Sequence, residues 1–172
     1  DIMDLTIELD RAKEVQHLTT AKSHLTGETV SRFCHIHQSP EDLLAKQEMT
    51  RMSCRLVGGC IARCMGIDAM NALSVITYQC DQVHGTEYHQ RFLEYLRYWQ
   101  DNDIVGCCAQ TDVKGHRKRR PHEQTDPDLY LRVVERRKDG IVVRGAKAHN
   151  SFAPLANEIV VTPTRFLTPE EG

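Results

Sequence analysis

Leu129-Tyr130-Leu131-Arg132-Val133-Val134-Glu135-Arg136-Arg137-Lys138-Asp139-Gly140-Ile141-Val142-Val143-Arg144 decides the fold. Leu129, Leu131 and Val133 alternate with Tyr130, Arg132 and Val134, and Asp139-Gly140 before a second apolar run is the signal of a tight hairpin. Another strand is expected over 158–162. Upstream the period changes. Ser39-Pro40-Glu41-Asp42 opens a helix, with a capping hydroxyl, a preset proline dihedral and two acids that complement the helix dipole. Leu43, Leu44, Met49, Met52, Leu56 and Val57 follow at helical spacing. After Gly58-Gly59, which suggest close packing or a kink, the pattern resumes through Ile61, Met65, Ile67, Met70, Leu73, Val75 and Ile76. Gly85-Thr86 then precedes a helix with Phe92, Leu93, Tyr95, Leu96 and Trp99 on its apolar face, and a weaker helical signal spans 10–18. Helices followed by strands predict segregated α+β layers, with a helical domain over 1–106 and the start of an antiparallel β domain over 107–172. No G-x-G-x-x-G or G-x-x-x-x-G-K-[ST] run occurs, so a doubly wound nucleotide fold is not expected.

The chain has 172 residues, enough for one domain or for one domain and the start of another. With 40% hydrophobic and 27% charged residues it reads as a soluble globular chain. No apolar stretch reaches the roughly 18–20 residues of a bilayer span, and Asp1-Ile2-Met3-Asp4-Leu5 is acidic where a signal peptide is basic. These features predict a cytoplasmic protein without a membrane partner. A net charge of -2 gives no global attraction to nucleic acid. Seven cysteines, an odd number in a chain with an adequate core, read as thiols. The missing initiator methionine, and Thr168-Pro169-Glu170-Glu171-Gly172 following a strand without a closing element, read as a fragment of a longer protein.

Three stretches can carry chemistry. Cys60 and Cys64, four apart, would share one face of a helix and could bind one inorganic site, their thiolates helped by Arg63 or a helix end; they could equally be small core residues. Cys34 beside His35 and His37 lacks a second ligand pair for zinc. Gln110-Thr111-Asp112-Val113-Lys114-Gly115-His116-Arg117-Lys118-Arg119-Arg120 offers hydrogen-bonding groups, a glycine for close backbone approach and a cation series suited to a pyrophosphate, or forms a solvated basic loop. It contains no interleaved aromatic residues, so nucleic acid is not expected as a partner. Arg144-Gly145-Ala146-Lys147-Ala148-His149-Asn150-Ser151 follows a strand; its small residues would admit a flat ligand that Lys147, His149, Asn150 and Ser151 orient, or it is a strand end with a polar loop.

Cys60-Ile61-Ala62-Arg63-Cys64-Met65-Gly66-Ile67-Asp68-Ala69-Met70-Asn71-Ala72, Thr111-Asp112-Val113-Lys114-Gly115, Asp126-Pro127-Asp128-Leu129 and 139–149 together resemble the 4-hydroxybutyryl-CoA dehydratases nearly end to end. Val113 and His116 depart from the proline and acid expected there. That family is grouped with flavin-dependent 4-hydroxyphenylacetate 3-monooxygenases and has an acyl-CoA dehydrogenase-like fold of helical domain, β domain and helical bundle. The resemblance implies that this chain holds an N-terminally truncated helical domain and the start of the β domain, without the C-terminal helical domain. It further implies FAD- and 4Fe-4S-dependent dehydration of 4-hydroxybutyryl-CoA to crotonyl-CoA by a ketyl-radical route, vinylacetyl-CoA isomerase activity, an acyl-CoA substrate and a homotetramer. By the same resemblance Cys60 and Cys64 are two of four cluster ligands, the others being a histidine and a cysteine of the later helical domain. Gln110, Thr111, Asp112, Val113, Lys114, Gly115, His116 and Arg117, with His149, Asn150, Ser151 and Phe152, would contact FAD. Arg117 and Lys118 would bind substrate, and Ser151 would be an orienting hydroxyl. The alternative is an FAD-dependent aromatic hydroxylase of the 4-hydroxyphenylacetate 3-monooxygenase type, which needs no cluster.

Overall fold

The computed structural model describes residues 2–168, so the open end expected at 169–172 lies outside the described residues. Among the described residues, five α-helices and six strands follow in chain order: α1 (Ile2–Arg11), α2 (Gln16–Thr19), β1 (Thr20–Lys22), β2 (Thr29–Ser31), α3 (Pro40–Val57), α4 (Cys64–His84), α5 (Tyr88–Asp101), β3 (Gly106–Ala109), β4 (Arg132–Arg137), β5 (Gly140–Arg144) and β6 (Glu158–Val161). The expected helix over 10–18 is instead two pieces, with a turn between Arg11 and Gln16. α3 starts where its capping signal stands, the Ser39 hydroxyl accepting from the Asp42 N–H at 3.3 Å. It ends at Val57. Gly58 and Gly59 have open space where a side chain would project, so they stop the helix and do not mark a close contact.

The core lies where α3, α4 and α5 meet the segment containing Phe33 and Ile36. Met49, Ile61, Ile67, Met70, Phe92, Leu96, Trp99 and Ile104 fill it. α4 buries Gly66, Ile67, Ala69 and Met70 near its start, while Val75, Ile76, Tyr78 and Val83 farther along are exposed. Two glycines set how α4 meets β3. A methyl at Gly66 would collide with the backbone of Gly106, and one at Gly106 with the Trp99 ring. The helix and strand therefore touch backbone to backbone, which fixes Cys64, two residues before Gly66, relative to the chain leading to Gln110.

The expected antiparallel arrangement is half right. β4 and β5 form an antiparallel hairpin, with Val133 opposite Val143 and Arg137 opposite Gly140, and Lys138-Asp139 as its turn. Val134 has no opposite residue, so a bulge lets Val133 and Val134 sit consecutively in a strand that otherwise alternates. β3 and β6, however, pair in parallel, with Gly106 opposite Glu158 and Ala109 opposite Val161. The hairpin belongs to the excursion between them, and the chain returns beside β3 in the same direction. Hydrophobic period marks a strand but not its partner's direction. Asn157 starts this pairing, its side-chain oxygen accepting from the Val105 N–H at 3.0 Å and its own N–H donating to the Val105 carbonyl at 2.8 Å. Among the described residues no helix is long and apolar enough to cross a membrane.

Candidate functional site

Cys60 and Cys64 do not share a helical face. α4 begins at Cys64, and Cys60 is exposed in the connector after α3. Ala62 takes a left-handed backbone (φ 60°) and donates its N–H to the Cys60 sulfur at 3.3 Å, while the Arg63 N–H donates to the Ile61 carbonyl at 2.7 Å. Helical spacing fails here because Gly58 and Gly59 end α3 and the next turn is irregular. The outcome is a loop sulfur beside a sulfur at a helix N-terminus. Burial raises the Cys64 thiol above its ordinary value, the Cys60 thiol and the Asp68 carboxylate raise it further, and the Lys46 ammonium opposes them. The helpful cation is thus Lys46, from α3, and not Arg63. Lys46 is buried and ion-paired with Asp68, and these two line a groove of about 370 Å³ with Gln47, Thr50, Arg51 and Cys64. Lys46 lies 18 residues from Cys64 in sequence, and only the packing of α3 on α4 brings them together.

All seven cysteines are free thiols. Cys34 is fully buried, its S–H directed at the Asp103 carboxylate (3.4 Å) and the Ile104 carbonyl (3.7 Å), and burial raises its thiol. His35 faces Asp42 at 3.1 Å. Cys34 and His35 are thus buried, while His37 is half-buried. No group of three or more His, Cys, Asp or Glu side chains able to hold a metal ion occurs among the described residues. Cys60 and Cys64 could by themselves supply only two soft donors, one of them open to solvent, to an iron-sulfur cluster.

The second locus grows from β3. Its continuation, Gln110-Thr111-Asp112, lies against Lys147-Ala148: Asp112 bridges Lys147 in antiparallel fashion and the Ala148 N–H donates to the Thr111 carbonyl at 2.7 Å. The two candidate ligand loops, 110–117 and 149–152, are thus brought together. Not all of their polar groups are free for a ligand. Asp112 is buried; its carboxylate accepts from the Leu131 N–H (3.1 Å) and the Thr164 hydroxyl and pairs with Lys147 at 2.8 Å. Burial pushes that carboxyl up, but Lys147, Thr164 and Leu131 outweigh it and hold it below its ordinary value. Lys147 also donates to the carbonyls of Gln110 (2.9 Å) and Thr162 (2.8 Å). Gly115 serves packing: a Cβ there would strike Leu129 and the Gln124 amide. Gln124 clamps the basic loop, accepting from the His116 N–H at 3.0 Å and donating to the carbonyls of His116 (3.0 Å) and Arg119 (3.2 Å).

Exposed groups remain for a ligand. Gln110, Val113, His116, Arg117, Lys118, His149 and Ser151 are exposed, and Thr111, Asn150 and Phe152 are half-buried. Lys114 and His149 hold left-handed backbones (φ 76° and 61°), unusual for side-chain-bearing residues. Lys114 and Arg117 line a cavity of about 380 Å³ with Tyr130, Thr164 and Arg165. Thr164 and Arg165 follow β6, which parallel pairing places beside β3; nothing local in their sequence marks them. Along α4, a second groove of about 560 Å³ runs from Met65 and Asp68 past Ala69 and Ala72 to Cys108 and Gln110. Asp68 borders this groove and the one at Cys64, so the two loci adjoin.

Comparison with known proteins shows what the chain is similar to. Over 164 residues, 95% of the chain, it is 46% identical to the 4-hydroxybutyryl-CoA dehydratase/vinylacetyl-CoA-Δ-isomerase of Clostridium aminobutyricum, of which it covers 34%. It is 35% identical over 100 residues, 58% of the chain and 20% of the relative, to the oxygenase component of 4-hydroxyphenylacetate 3-monooxygenase from Thermus thermophilus. Among solved structures, an oxygen-tolerant archaeal 4-hydroxybutyryl-CoA dehydratase from N. maritimus superposes with a TM-score of 0.93 at 41% identity, over 97% of this chain and 33% of that one. An oxygenase component of 4-hydroxyphenylacetate 3-monooxygenase complexed with FAD superposes with a TM-score of 0.74 at 26% identity, over 99% of this chain and 35% of that one. The chain thus spans about a third of the length of the dehydratase relatives it matches. The family model described as 4-hydroxyphenylacetate 3-hydroxylase N terminal matches residues 1–172, and the chain belongs to that family.

Proposed function

We propose that the protein to which this chain belongs is a 4-hydroxybutyryl-CoA dehydratase that forms crotonyl-CoA by a ketyl-radical route and also isomerises vinylacetyl-CoA, using FAD and a 4Fe-4S cluster. What supports this reading is the pair of Cys60, exposed in the connector before α4, and Cys64, the first residue of α4, in a chain 46% identical to a protein of that name. When bound, FAD would supply one-electron chemistry and the cluster a Lewis acid at the leaving hydroxyl. Cys60 and Cys64 would hold the cluster with a histidine and a cysteine from outside this chain. The paired loops 110–117 and 149–152 would hold the flavin, with Lys114, Arg117 and Lys118 on a diphosphate of FAD or coenzyme A. Asp112 and Lys147, being committed to one another, would shape these loops from beneath. Ser151, exposed beside them, would orient the flavin or the thioester carbonyl. We further read the complete protein as a cytoplasmic homotetramer with an acyl-CoA dehydrogenase-like arrangement.

Aromatic hydroxylation with FAD is the second reading, supported by the likeness to 4-hydroxyphenylacetate 3-monooxygenase components. It gives the two cysteines no task. Iron content of the complete protein, purified without oxygen, separates the two: brown protein with iron and sulfide supports the dehydratase, and yellow protein without iron supports the hydroxylase. Cys60→Ala should abolish iron and sulfide binding; normal content in that variant refutes the ligand assignment.

A further inference from the structure

Arg63 stands between the two cysteines in sequence yet turns away from them. It is 1% exposed, and its guanidinium meets three separate parts of the chain: Asp103 after α5 at 2.6 Å, Thr6 (3.4 Å) and Asp10 (3.7 Å) of α1, and the face of Phe33 with 4.8 Å between Cζ and the ring centroid. A buried cation persists only when compensated in this way. Two residues earlier Ile61 is fully buried. These two inward side chains pin the loop at both sides of Ala62, which is held left-handed, a conformation that survives in a residue with a Cβ only where its surroundings over-determine it. With 61 and 63 drawn inward, Cys60 is left exposed and Cys64 half-buried. Charge is not the link, because Cys64 feels Cys60, Asp68 and Lys46.

We propose that Arg63 is the positioning residue of the thiol pair: its buried guanidinium, forked between Asp103 and α1, locks the 60–64 loop so that both sulfurs reach one bound atom. The inference rests on reading Cys60 and Cys64 as co-ligands, but its test does not need the cluster. A trivalent arsenical of the phenylarsine oxide type exchanges its oxygen, released as water with the two thiol protons, for two As–S bonds, so it reports whether two thiols can close on one atom. In the complete protein freed of metal, Cys60→Ala gives the background. Arg63→Met should weaken bridging about tenfold or more, through lost preorganisation, while iodoacetamide still alkylates Cys60 at the wild-type rate. Arg63→Lys keeps the charge but not the fork and should fail to restore bridging. Bridging at wild-type affinity in Arg63→Met, or full rescue by lysine, overturns the proposal. Should Arg63→Met not fold, Asp103→Ala decides: a weaker loss in the same direction supports the lock, and unchanged affinity overturns it. Wild-type protein that bridges the arsenical but never holds iron would refute the cluster and leave the lock standing. Iron-replete wild type with unimpaired bridging in the variants would do the reverse.

Discussion

Lys147 and Asp112 stand 2.8 Å apart with only 8% and 4% of their side chains exposed, and this pair joins the two loops that follow β3 and β5. The ammonium caps the Gln110 and Thr162 carbonyls, so one side chain ties the Gln110 loop, the end of β6 and the segment before His149 to a common point. Lys147→Met would leave the Asp112 carboxylate buried without its counter-charge, at a cost of about 3–5 kcal/mol. Urea unfolding should register that loss. Flavin titration of the complete protein should show weaker FAD binding even where the variant is fully folded, because both loops lose their shared anchor.

Gly66→Ala tests the backbone contact between α4 and β3. The added methyl meets the carbonyl of Gly106, which cannot rotate away as a side chain could, so α4 must shift. Overpacking of this kind costs about 1–3 kcal/mol. Thermal unfolding should show a lower midpoint, and in the complete protein the shift should reduce iron content, since Cys64 opens the helix that moves.

Gln124 holds the basic loop without contributing a charge. Its amide accepts from the His116 N–H and donates to the His116 and Arg119 carbonyls, and it is 9% exposed. Gln124→Ala removes these bonds together and leaves the His116 carbonyl only its bond from the Arg119 N–H (2.9 Å), for a loss of about 1–3 kcal/mol. Proteolysis should then cut within 116–120 faster than in wild type. Unchanged cleavage there would mean the loop is held by other contacts.

How much of this was legible in the sequence depended on whether the cause was local. The Ser39 cap and the apolar face of Phe92, Leu96 and Trp99 follow from neighbours in the chain and stand where their signals predict, and the hairpin turn falls one residue before its Asp139-Gly140 signal, at Lys138-Asp139. Cys60 and Cys64 were legible as a pair through residue type, but not as loop and helix start, because spacing cannot report that Gly58 ends one helix and Cys64 begins another. The polar stretch 110–120 was legible as a candidate for ligand binding, whereas the inward commitment of Asp112 and Lys147 was not. It arises from the crossing of strands far apart in sequence. Lys46, Tyr130, Thr164 and Arg165 joined the candidate sites for the same reason, through packing that leaves no periodic trace.

Asp10 makes stability depend on pH in a direction opposite to that of most carboxylates. Burial lifts its carboxyl from an ordinary 3.8 to about 6; the Ser31 hydroxyl, bonded at 2.6 Å, and the Arg63 guanidinium pull it down, and the Asp103 carboxylate adds to the rise. Between pH 4 and 6 the folded protein therefore binds more protons at this site than the unfolded chain, and stability falls as pH rises through that window. At about 1.4 kcal/mol per pH unit the change is about 3 kcal/mol. Asp42 has the opposite sign: burial raises its carboxyl, but the Gln38 N–H, His35 and Arg32 together hold it at about 2, so its contribution is lost only as pH falls below 4 and does not overlap. Asp10→Asn can still accept from Ser31 but cannot titrate. Its stability should gain on wild type progressively from pH 4 to pH 7 in denaturant unfolding followed at each pH. A constant difference across that range would mean that Asp10 remains ionised in the fold, held by Arg63 at 3.7 Å more firmly than burial opposes it.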